Sequence, residues 1–402
     1  MNHCLAFLVL ALPFSAAAEN WPHWLGPNQN GITDEEIEPE FGGVVWRAEV
    51  GTGFSSMSVV DGRVYTMGNS GSTETVWCLD AETGNPLWKH SYRAQLLPNL
   101  HEGGPAATPT VNRDSVYTLG KDGKAFRLNA ETGQVIWAAD LMTLARMSKP
   151  PEWGFSSSPL IHGFEVIFEA GQTMALSQET GQVVWQGRNY TPAYGSTAKM
   201  QIGFTNYLAS IKTEGLVVMN EKGETLAMTP WQTSFNTNAS TPLIEGDKIF
   251  VSTGYARGCA LFQFDPENRR LKKIYENKAM SNHMNASVLI DGHLYGFSGT
   301  AHRGPKTQFA CIEFATGRGK WLESGLGCGS VIAAGGGKYL IILSERGEMV
   351  IAKPSPTGFE ALTREQLLGG RCWTPPVLAN GRLYARNSDG ELVCVAVGQV
   401  AN

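Results

Sequence analysis

The chain has 402 residues, a net charge of −5 and 17% charged residues, and it contains 46 glycines and 11 tryptophans. This glycine-rich and aromatic-rich composition excludes a protein that is disordered over most of its length. Because no run of basic residues occurs, the sequence does not indicate a nucleic-acid partner.

Residues 1–18 have the pattern of a secretory signal peptide. An apolar stretch from Leu5 to Phe14 is followed by Ala16-Ala17-Ala18, small residues of the kind that precede a cleavage point. The stretch is too short to cross a bilayer, which takes about 20 apolar residues. We therefore predict a periplasmic or secreted protein without a membrane span, whose mature chain starts with an N-terminal extension at 19–43.

Four eleven-residue segments repeat along the chain: CLDAETGNPLW, RLNAETGQVIW, ALSQETGQVVW and CIEFATGRGKW. Each predicts a strand, a tight turn whose glycine takes a positive φ, and a second strand that ends on tryptophan. The turn glycines are Gly84, Gly133, Gly181 and Gly317, and the tryptophans are Trp88, Trp137, Trp185 and Trp321.

A second hairpin precedes each of these segments, as in SMSVVDGRVYTMG and STPLIEGDKIFVSTG. Two hairpins in each period of roughly 42 to 50 residues predict a four-stranded propeller blade. Counting outer strands gives seven, and the last inner hairpin lacks its own. Trp46 lies at the same spacing before Trp88, so we predict that strand 44–50 completes the last blade.

The prediction is an all-β, eight-bladed propeller over 44–398 with a tail at 399–402, and seven blades as the alternative. The repeated tryptophans, Trp46 included, are expected to pack between neighbouring blades.

These hairpins resemble the tryptophan-docking repeats of quinoprotein dehydrogenases, written A-x-D-x-x-T-G-x-x-x-W, over nearly the whole chain after residue 18. WPHWLGPNQNGIT, PPEWGFSSSPLI and GGRCWTPPVLANGRLY resemble secreted pyrroloquinoline-quinone-like propeller repeat proteins. The resemblance also extends to the propeller lipoprotein of the outer-membrane barrel-assembly machinery, which implies use of the fold as a scaffold. Such repeats indicate the fold more strongly than the chemistry.

Loops that cross between blades, and those that join second to third strands, vary most and lie on one face of the ring, which we call the variable face. Binding residues are expected there, at the mouth of the central channel. The candidates are His101, Glu102, Trp153, Asn236, Asn238, Tyr255, Arg257, His283, Asn285, Arg371 and Trp373.

Several candidates have an equally simple structural explanation. His283 and Asn285 would satisfy backbone groups where strands begin, and Trp153 would plug the channel. Arg371 beside Trp373 either stacks on the ring or holds an anion.

The resemblance to quinoprotein dehydrogenases implies pyrroloquinoline quinone with Ca²⁺ and a carboxylate base. The adjacent cysteine pair of that family is absent here, and the candidates include one carboxylate, Glu102. No zinc motif occurs among the eight histidines. We therefore predict no catalytic residue, no metal and no cofactor.

The function predicted is a monomeric, non-catalytic scaffold that binds a protein or a carbohydrate-like ligand on the variable face. The alternative is a quinone-dependent dehydrogenase that oxidises an alcohol or a sugar.

Among the seven cysteines, Cys328 and Cys372 precede the inner strands of adjacent blades. A disulfide between them is therefore left open.

Overall fold

The computed structural model describes residues 19–301 and 306–398; the predicted signal peptide and tail lie outside them. Within these ranges, 32 strands form eight four-stranded antiparallel sheets. One four-residue helix, α1 (Leu141–Leu144), lies in a crossing loop and is capped by the Asp140 side chain. The eight-bladed propeller is confirmed, and the alternative of seven blades is wrong.

Strands are numbered in chain order from β1 (Glu38–Glu49), and blades are numbered from the first inner strand. Blade 1 contains β2 (Ser58–Val60), β3 (Arg63–Ser70), β4 (Thr73–Asp80) and β5 (Pro86–Arg93). Blade 2 contains β6 (Thr110–Asn112), β7 (Ser115–Leu119), β8 (Lys124–Asn129) and β9 (Val135–Asp140). Blade 3 contains β10 (Leu160–His162), β11 (Glu165–Ala170), β12 (Gln172–Ser177) and β13 (Val183–Gln186). Blade 4 contains β14 (Ala198–Ile202), β15 (Thr205–Ile211), β16 (Gly215–Asn220) and β17 (Thr225–Pro230).

The second half of the ring repeats this order. Blade 5 contains β18 (Leu243–Glu245), β19 (Lys248–Thr253), β20 (Gly258–Asp265) and β21 (Arg270–Asn277). Blade 6 contains β22 (Val288–Ile290), β23 (His293–Ser298), β24 (Gln308–Glu313) and β25 (Gly319–Glu323). Blade 7 contains β26 (Ser330–Ala334), β27 (Tyr339–Leu343), β28 (Glu348–Lys353) and β29 (Glu360–Gln366). Blade 8 contains β30 (Val377–Ala379), β31 (Arg382–Arg386), β32 (Glu391–Gly398) and the N-terminal β1.

The N-terminal strand closes the ring. β1 pairs antiparallel with β32, with Trp46 opposite Cys394 and Ala48 opposite Leu392. β1 starts at Glu38, six residues before the predicted start at 44. Its pairing with β32 is irregular near Phe41 and Gly43, but the strand stays beside β32 through these shifts in register. Closure removes the exposed sheet edges that an open array of strands would leave.

Neighbouring blades dock through an aromatic ring placed on a glycine. The Trp46 indole N–H donates to the Ala81 carbonyl at 3.0 Å. The ring of Trp46 lies so close to Gly84 that a Cβ there would be 2.6 Å from it. Trp88 packs on Gly133, Trp137 on Gly181 and Trp185 on Gly223, whereas Tyr275 takes the aromatic position at Gly317, and the Trp321 indole donates to Ser355.

Gly133→Ala is expected to lower the free energy of unfolding by about 2–4 kcal/mol. Its φ of +72° disfavours a side chain, and the new Cβ would lie 2.5 Å from the Trp88 ring. Gly62→Ala is the matched control, because φ is +74° and the space around it is open, so only the backbone cost of about 1 kcal/mol applies. Urea denaturation measures both; equal losses would show that the blade contact adds nothing.

The N-terminal segment before β1 spans the channel on the face that carries the short turns of the inner hairpins. Asn20 exchanges hydrogen bonds with Asp61, and Trp21 pairs with the backbone of Val59 in blade 1. Farther along, the Gly31 carbonyl accepts from the Ala333 N–H of blade 7 at 2.8 Å. The Glu35 carboxylate accepts hydrogen bonds from two backbone N–H groups in the turn between β30 and β31 of blade 8.

Cys328 and Cys372 are buried, free thiols, so the disulfide that the sequence left open is not formed. Their side chains belong to different hydrophobic clusters. Glu345 lies between them: its carboxylate accepts the Cys328 N–H at 3.1 Å and its backbone carbonyl accepts the Cys372 N–H at 2.8 Å.

Candidate functional site

A cavity of about 170 Å³ lies in the central channel, open toward the variable face. Six aromatic side chains form much of its wall: Trp24, Phe54, Trp153, Tyr194, Tyr255 and Trp373. Serine and threonine hydroxyls from the residues before the inner strands complete the lining. The predicted candidates His101, His283 and Asn285 also line it.

Trp24 comes from the N-terminal segment, and not from a blade. Its indole N–H donates to the Thr241 hydroxyl of blade 5 at 3.0 Å. Because Trp21 is tied to blade 1 on the opposite side of the ring, Trp24 lies across the channel beneath the cavity. No residue of this segment is among the predicted site candidates, because the segment lies outside the repeat.

Trp373 is fixed on three sides. Its ring stacks on Phe54 with a centroid distance of 5.6 Å, and its indole N–H donates to Glu345 at 3.0 Å. The Arg371 guanidinium lies 4.4 Å from the ring centroid and pairs with Glu102 at 2.8 Å. Arg371 and Glu102 therefore neutralise each other behind the cavity wall and do not line it.

Trp153 and His101 form another part of the rim. Trp153 meets Tyr194 edge to face at 5.5 Å, and its indole N–H donates to the Asn99 carbonyl at 3.2 Å. His101 accepts the Gly103 N–H at 3.0 Å, and burial lowers its pKa to about 4. The imidazole is therefore neutral at pH 7.

The backbone at this rim is strained. Leu100 and Tyr255 both line the cavity with positive φ values of 64° and 56°. Non-glycine residues adopt this region rarely, and such strain concentrates at functional sites. The Tyr255 ring packs edge to face on His283 at 5.1 Å, and His283 Nδ1 accepts the Ala301 N–H.

Asn285 has a structural role and also faces the cavity. Its amide donates to the carbonyls of Gly329 and Trp373 at 3.0 and 2.9 Å. The sequence left open whether it contacts backbone or ligand, and the structure shows the backbone contact.

Besides Arg371 and Glu102, three more predicted candidates lie outside the cavity lining. Asn238 is fully buried and donates to the carbonyls of Lys212 and Trp231. The Arg257 guanidinium stacks 3.6 Å from the Trp231 ring centroid and pairs with Glu276 at 2.7 Å. Asn236 is exposed on a 3-10 turn.

Lys121 is a cavity residue that sequence reasoning missed. It follows β7 in a loop between second and third strands, and its side chain is 2% exposed. Burial lowers its pKa to about 8. Nearby Glu74 is also buried, which raises its pKa to about 7; it accepts the Tyr92 hydroxyl and the Lys121 N–H. The only sequence signal was the position of a lysine in a variable-face loop.

The residues around this cavity do not fit pyrroloquinoline quinone with Ca²⁺. Calcium takes oxygen ligands, usually including carboxylates, and a dehydrogenase also needs a base. None of the described lining residues is aspartate or glutamate. No group of three or more His, Cys, Asp and Glu residues in the described ranges is placed to hold a metal ion. Among the lining residues in 19–301 and 306–398, Lys121 is the one lysine or arginine, whereas the quinone carries three carboxylates.

Comparison with known proteins identifies the family. A family model (PQQ_2) described as outer membrane protein assembly factor BamB matches residues 35–152 and 146–323. The chain belongs to this family. The matched ranges include β1 and blades 1 to 6.

Solved structures share the whole fold with this PQQ_2 member. BamB from Moraxella catarrhalis superposes with a TM-score of 0.65 at 16% identity, covering 88% of this chain and 99% of that one. Quinohemoprotein alcohol dehydrogenase from Comamonas testosteroni gives a TM-score of 0.69 at 12% identity, covering 96% and 81%. At these identities the likeness shows the fold alone.

Curated relatives match over short stretches. The quinohemoprotein alcohol dehydrogenase ADH-IIG of Pseudomonas putida is 34% identical over 88 residues, 20% of this chain and 11% of that protein. The dehydrogenase subunit of the alcohol dehydrogenase (quinone) of Gluconacetobacter polyoxogenes is 31% identical over 120 residues, 28% of this chain and 15% of that protein. In the part of the chain that the structure describes, no helix is long and apolar enough to traverse a membrane.

Proposed function

We propose that this PQQ_2 protein is a non-catalytic binding protein that holds a small aromatic ligand in the cavity of its variable face. The observation that carries the proposal is the wall of fixed aromatic rings, without a carboxylate among the described lining residues. Aromatic walls with a few placed polar groups are typical of ligand sites, whereas proton abstraction from an alcohol needs a base.

The aromatic rings of the cavity wall are already held in place in the protein without a ligand. Trp373 and Trp153 each donate an indole N–H within the protein, to Glu345 and Asn99 respectively, so their rings are held in place. A site with fixed rings loses little conformational entropy on binding. This supports binding of a flat, apolar group between the rim and Trp24.

Export is part of the proposal. The apolar stretch Leu5–Phe14 and the small residues Ala16–Ala18 support removal of residues 1–18 and a place in the periplasm or outside the cell. The monomeric propeller would then meet its ligand in that compartment.

Trp153→Ala is expected to weaken binding of the neutral probe indole-3-acetamide at least tenfold, because it removes one aromatic wall and the edge-to-face contact that this wall makes with Tyr194. Arg257→Met, on the same face but outside the cavity, is expected to stay within twofold of the wild type. Calorimetric titration of the mature protein measures both, and the thermal midpoint reports folding.

Two results would overturn the proposal. Equal loss of affinity in both variants, or none in either, would place binding elsewhere. A rise in thermal midpoint with pyrroloquinoline quinone and CaCl₂, together with dye reduction by alcohols or sugars, would establish the dehydrogenase instead.

A further inference from the structure

Lys121 is held in the cavity wall by the backbone around it. Its aliphatic stem lies against Gly154, where a Cβ would come within 2.6 Å of the lysine Cδ. Gly154 has a φ of +70°, and it precedes Phe155, whose N–H donates to the Lys121 carbonyl at 3.0 Å. The loop thus fixes both the main chain and the stem of this lysine.

The Lys121 ammonium group makes no hydrogen bond or ion pair with any residue in 19–301 or 306–398. Its side chain is nevertheless 2% exposed. Glu74 attracts it electrostatically, but the two groups are not within ion-pair distance.

Two other cations in the described part of the chain are buried as deeply, and both have partners. Lys212 lies 2.5 Å from Glu169 and donates to the Thr173 hydroxyl at 2.7 Å. Arg386 donates to the carbonyls of Gly51 and Met67 at 2.7 and 2.6 Å. Burying a charge is costly unless it is paired, so an unpartnered ammonium beside a cavity indicates a group supplied from outside.

The rest of the lining restricts that group. His101 is neutral at pH 7 because burial lowers its pKa, and Arg371 is paired with Glu102 outside the lining. Among the described lining residues Lys121 carries the one unpaired positive charge, and in an aromatic-walled cavity of about 170 Å³ this matches a small ligand with one negative charge.

We propose that the cavity binds a small aromatic monocarboxylate whose carboxylate pairs with the Lys121 ammonium while its ring lies among Trp24, Trp153 and Trp373. This inference rests on the proposed function and adds the chemical class of the ligand. A charge-assisted hydrogen bond in a site that excludes water is stronger than a neutral one, so the carboxylate should be preferred over its amide.

The experiment compares two probes of the same shape, indole-3-acetate and indole-3-acetamide, by calorimetric titration at pH 7. The wild type is expected to bind the acetate at least tenfold more tightly, as a charged hydrogen bond contributes about 1.5–3 kcal/mol. Lys121→Met is expected to remove this preference, so that its affinities for acetate and amide agree within twofold. Lys124→Met, which removes a half-buried lysine paired with Asp122 in the same blade and outside the cavity lining, is expected to behave as the wild type.

A pH series on the wild type gives a second test that needs no variant. The preference for acetate is expected to fall between pH 7 and pH 10, as Lys121 loses its proton. Of the other groups near this lysine, Glu74, with a pKa of about 7, completes its ionisation by about pH 8 and lowers the preference in the same direction, so the fall between pH 8 and pH 10 is the part assigned to Lys121. His101, with a pKa of about 4, stays neutral over the whole range, and burial raises the Tyr92 pKa well above its usual 10.

The outcomes separate the two proposals. Equal affinity of the wild type for both probes would overturn the monocarboxylate assignment and leave the proposed binding function standing. A preference that survives in Lys121→Met, or that is unchanged up to pH 10, would also overturn it. Binding of neither probe would count against both proposals.

Discussion

Lys212→Met is expected to lower the free energy of unfolding by about 3–5 kcal/mol, whereas Lys121→Met is expected to raise it by up to about 3 kcal/mol. Both lysines are fully buried. The substitutions are alike in shape and charge change, so each is a control for the other. The opposite signs follow from the partners of the two ammonium groups.

The partners of Lys212 would lose their buried positive charge and hydrogen-bond donor if this lysine were replaced. Its ammonium lies 2.5 Å from Glu169, although the angle is not that of a hydrogen bond, and it donates to Thr173 at 2.7 Å. The other Glu169 oxygen accepts the hydroxyls of Thr173 and Ser210. Removing one member of a buried pair leaves the other as an uncompensated charge, which is the costly case.

Lys121 makes no such pair within the described residues, and its burial is therefore mainly a cost. Its pKa of about 8, against an ordinary 10.5, corresponds to about 3 kcal/mol of destabilisation at pH 7. Glu74 is the carboxylate that loses its neighbour, and its pKa of about 7 allows it to bind a proton. A methionine of similar length would fill the space without that cost.

The difference in stability between the wild type and Lys121→Met is also expected to depend on pH. Between about pH 8 and pH 10.5 the unfolded chain holds a proton on Lys121 that the folded chain releases, so wild-type stability rises with pH through this residue. Lys121→Met lacks this contribution, and its advantage is expected to shrink from pH 7 to pH 10. Guanidinium denaturation at both pH values measures it.

A loss of stability in Lys121→Met comparable to that in Lys212→Met would contradict the prediction. It would mean that Lys121 has a stabilising partner in the free protein, and the argument for an external anion would fail with it.

Arg386→Met is expected to cost about 3–5 kcal/mol, because this guanidinium joins the last blade to the first. Arg386 is fully buried at the end of β31. It donates to the carbonyls of Gly51 and Met67, and it reaches Ser55 and Thr66 at 3.3 Å. Methionine keeps most of the volume but offers no donor to these acceptors.

Arg382→Met is the matched control at the other end of the same strand. Arg382 pairs with Glu82; the arginine side chain is 19% exposed and the glutamate side chain 70% exposed, so water reaches this pair and it contributes less than a fully buried guanidinium. Chemical denaturation of both variants is expected to show a loss for Arg386→Met several times that for Arg382→Met. Losses of equal size would mean that the buried Arg386 guanidinium does not stabilise the contact between the last blade and the first.

The blade count and the closing strand could be predicted because their signals are local. A hairpin needs a turn glycine and flanking apolar runs, and these recur along the chain at a nearly constant spacing. The same spacing placed Trp46 in the last blade, where β1 pairs with β32. The start of β1 at Glu38 could not be placed, since irregular pairing leaves no clean alternation in the sequence.

The site was predicted in part, for a related reason. Residues just before the inner strands lie close to the channel, which located Trp153, His283, Asn285 and Trp373. Asn238 and Arg371 have equivalent positions in the sequence, but their side chains bond elsewhere and do not line the cavity. The direction in which a loop side chain points is not encoded by its position, so Arg257 was placed at the site although its guanidinium stacks on Trp231 outside it.

The sequence alone determined the architecture, because hairpin periodicity and glycine turns are properties of short segments. Only the tertiary structure decided what the channel contains. Trp24 reaches Thr241 across the ring, and Lys121 lies buried beside the cavity without an ion-pair partner in the described chain. Both facts depend on contacts between residues far apart in sequence. The energy of a buried polar group depends on whether it has a partner, and short segments of the sequence do not show which groups meet.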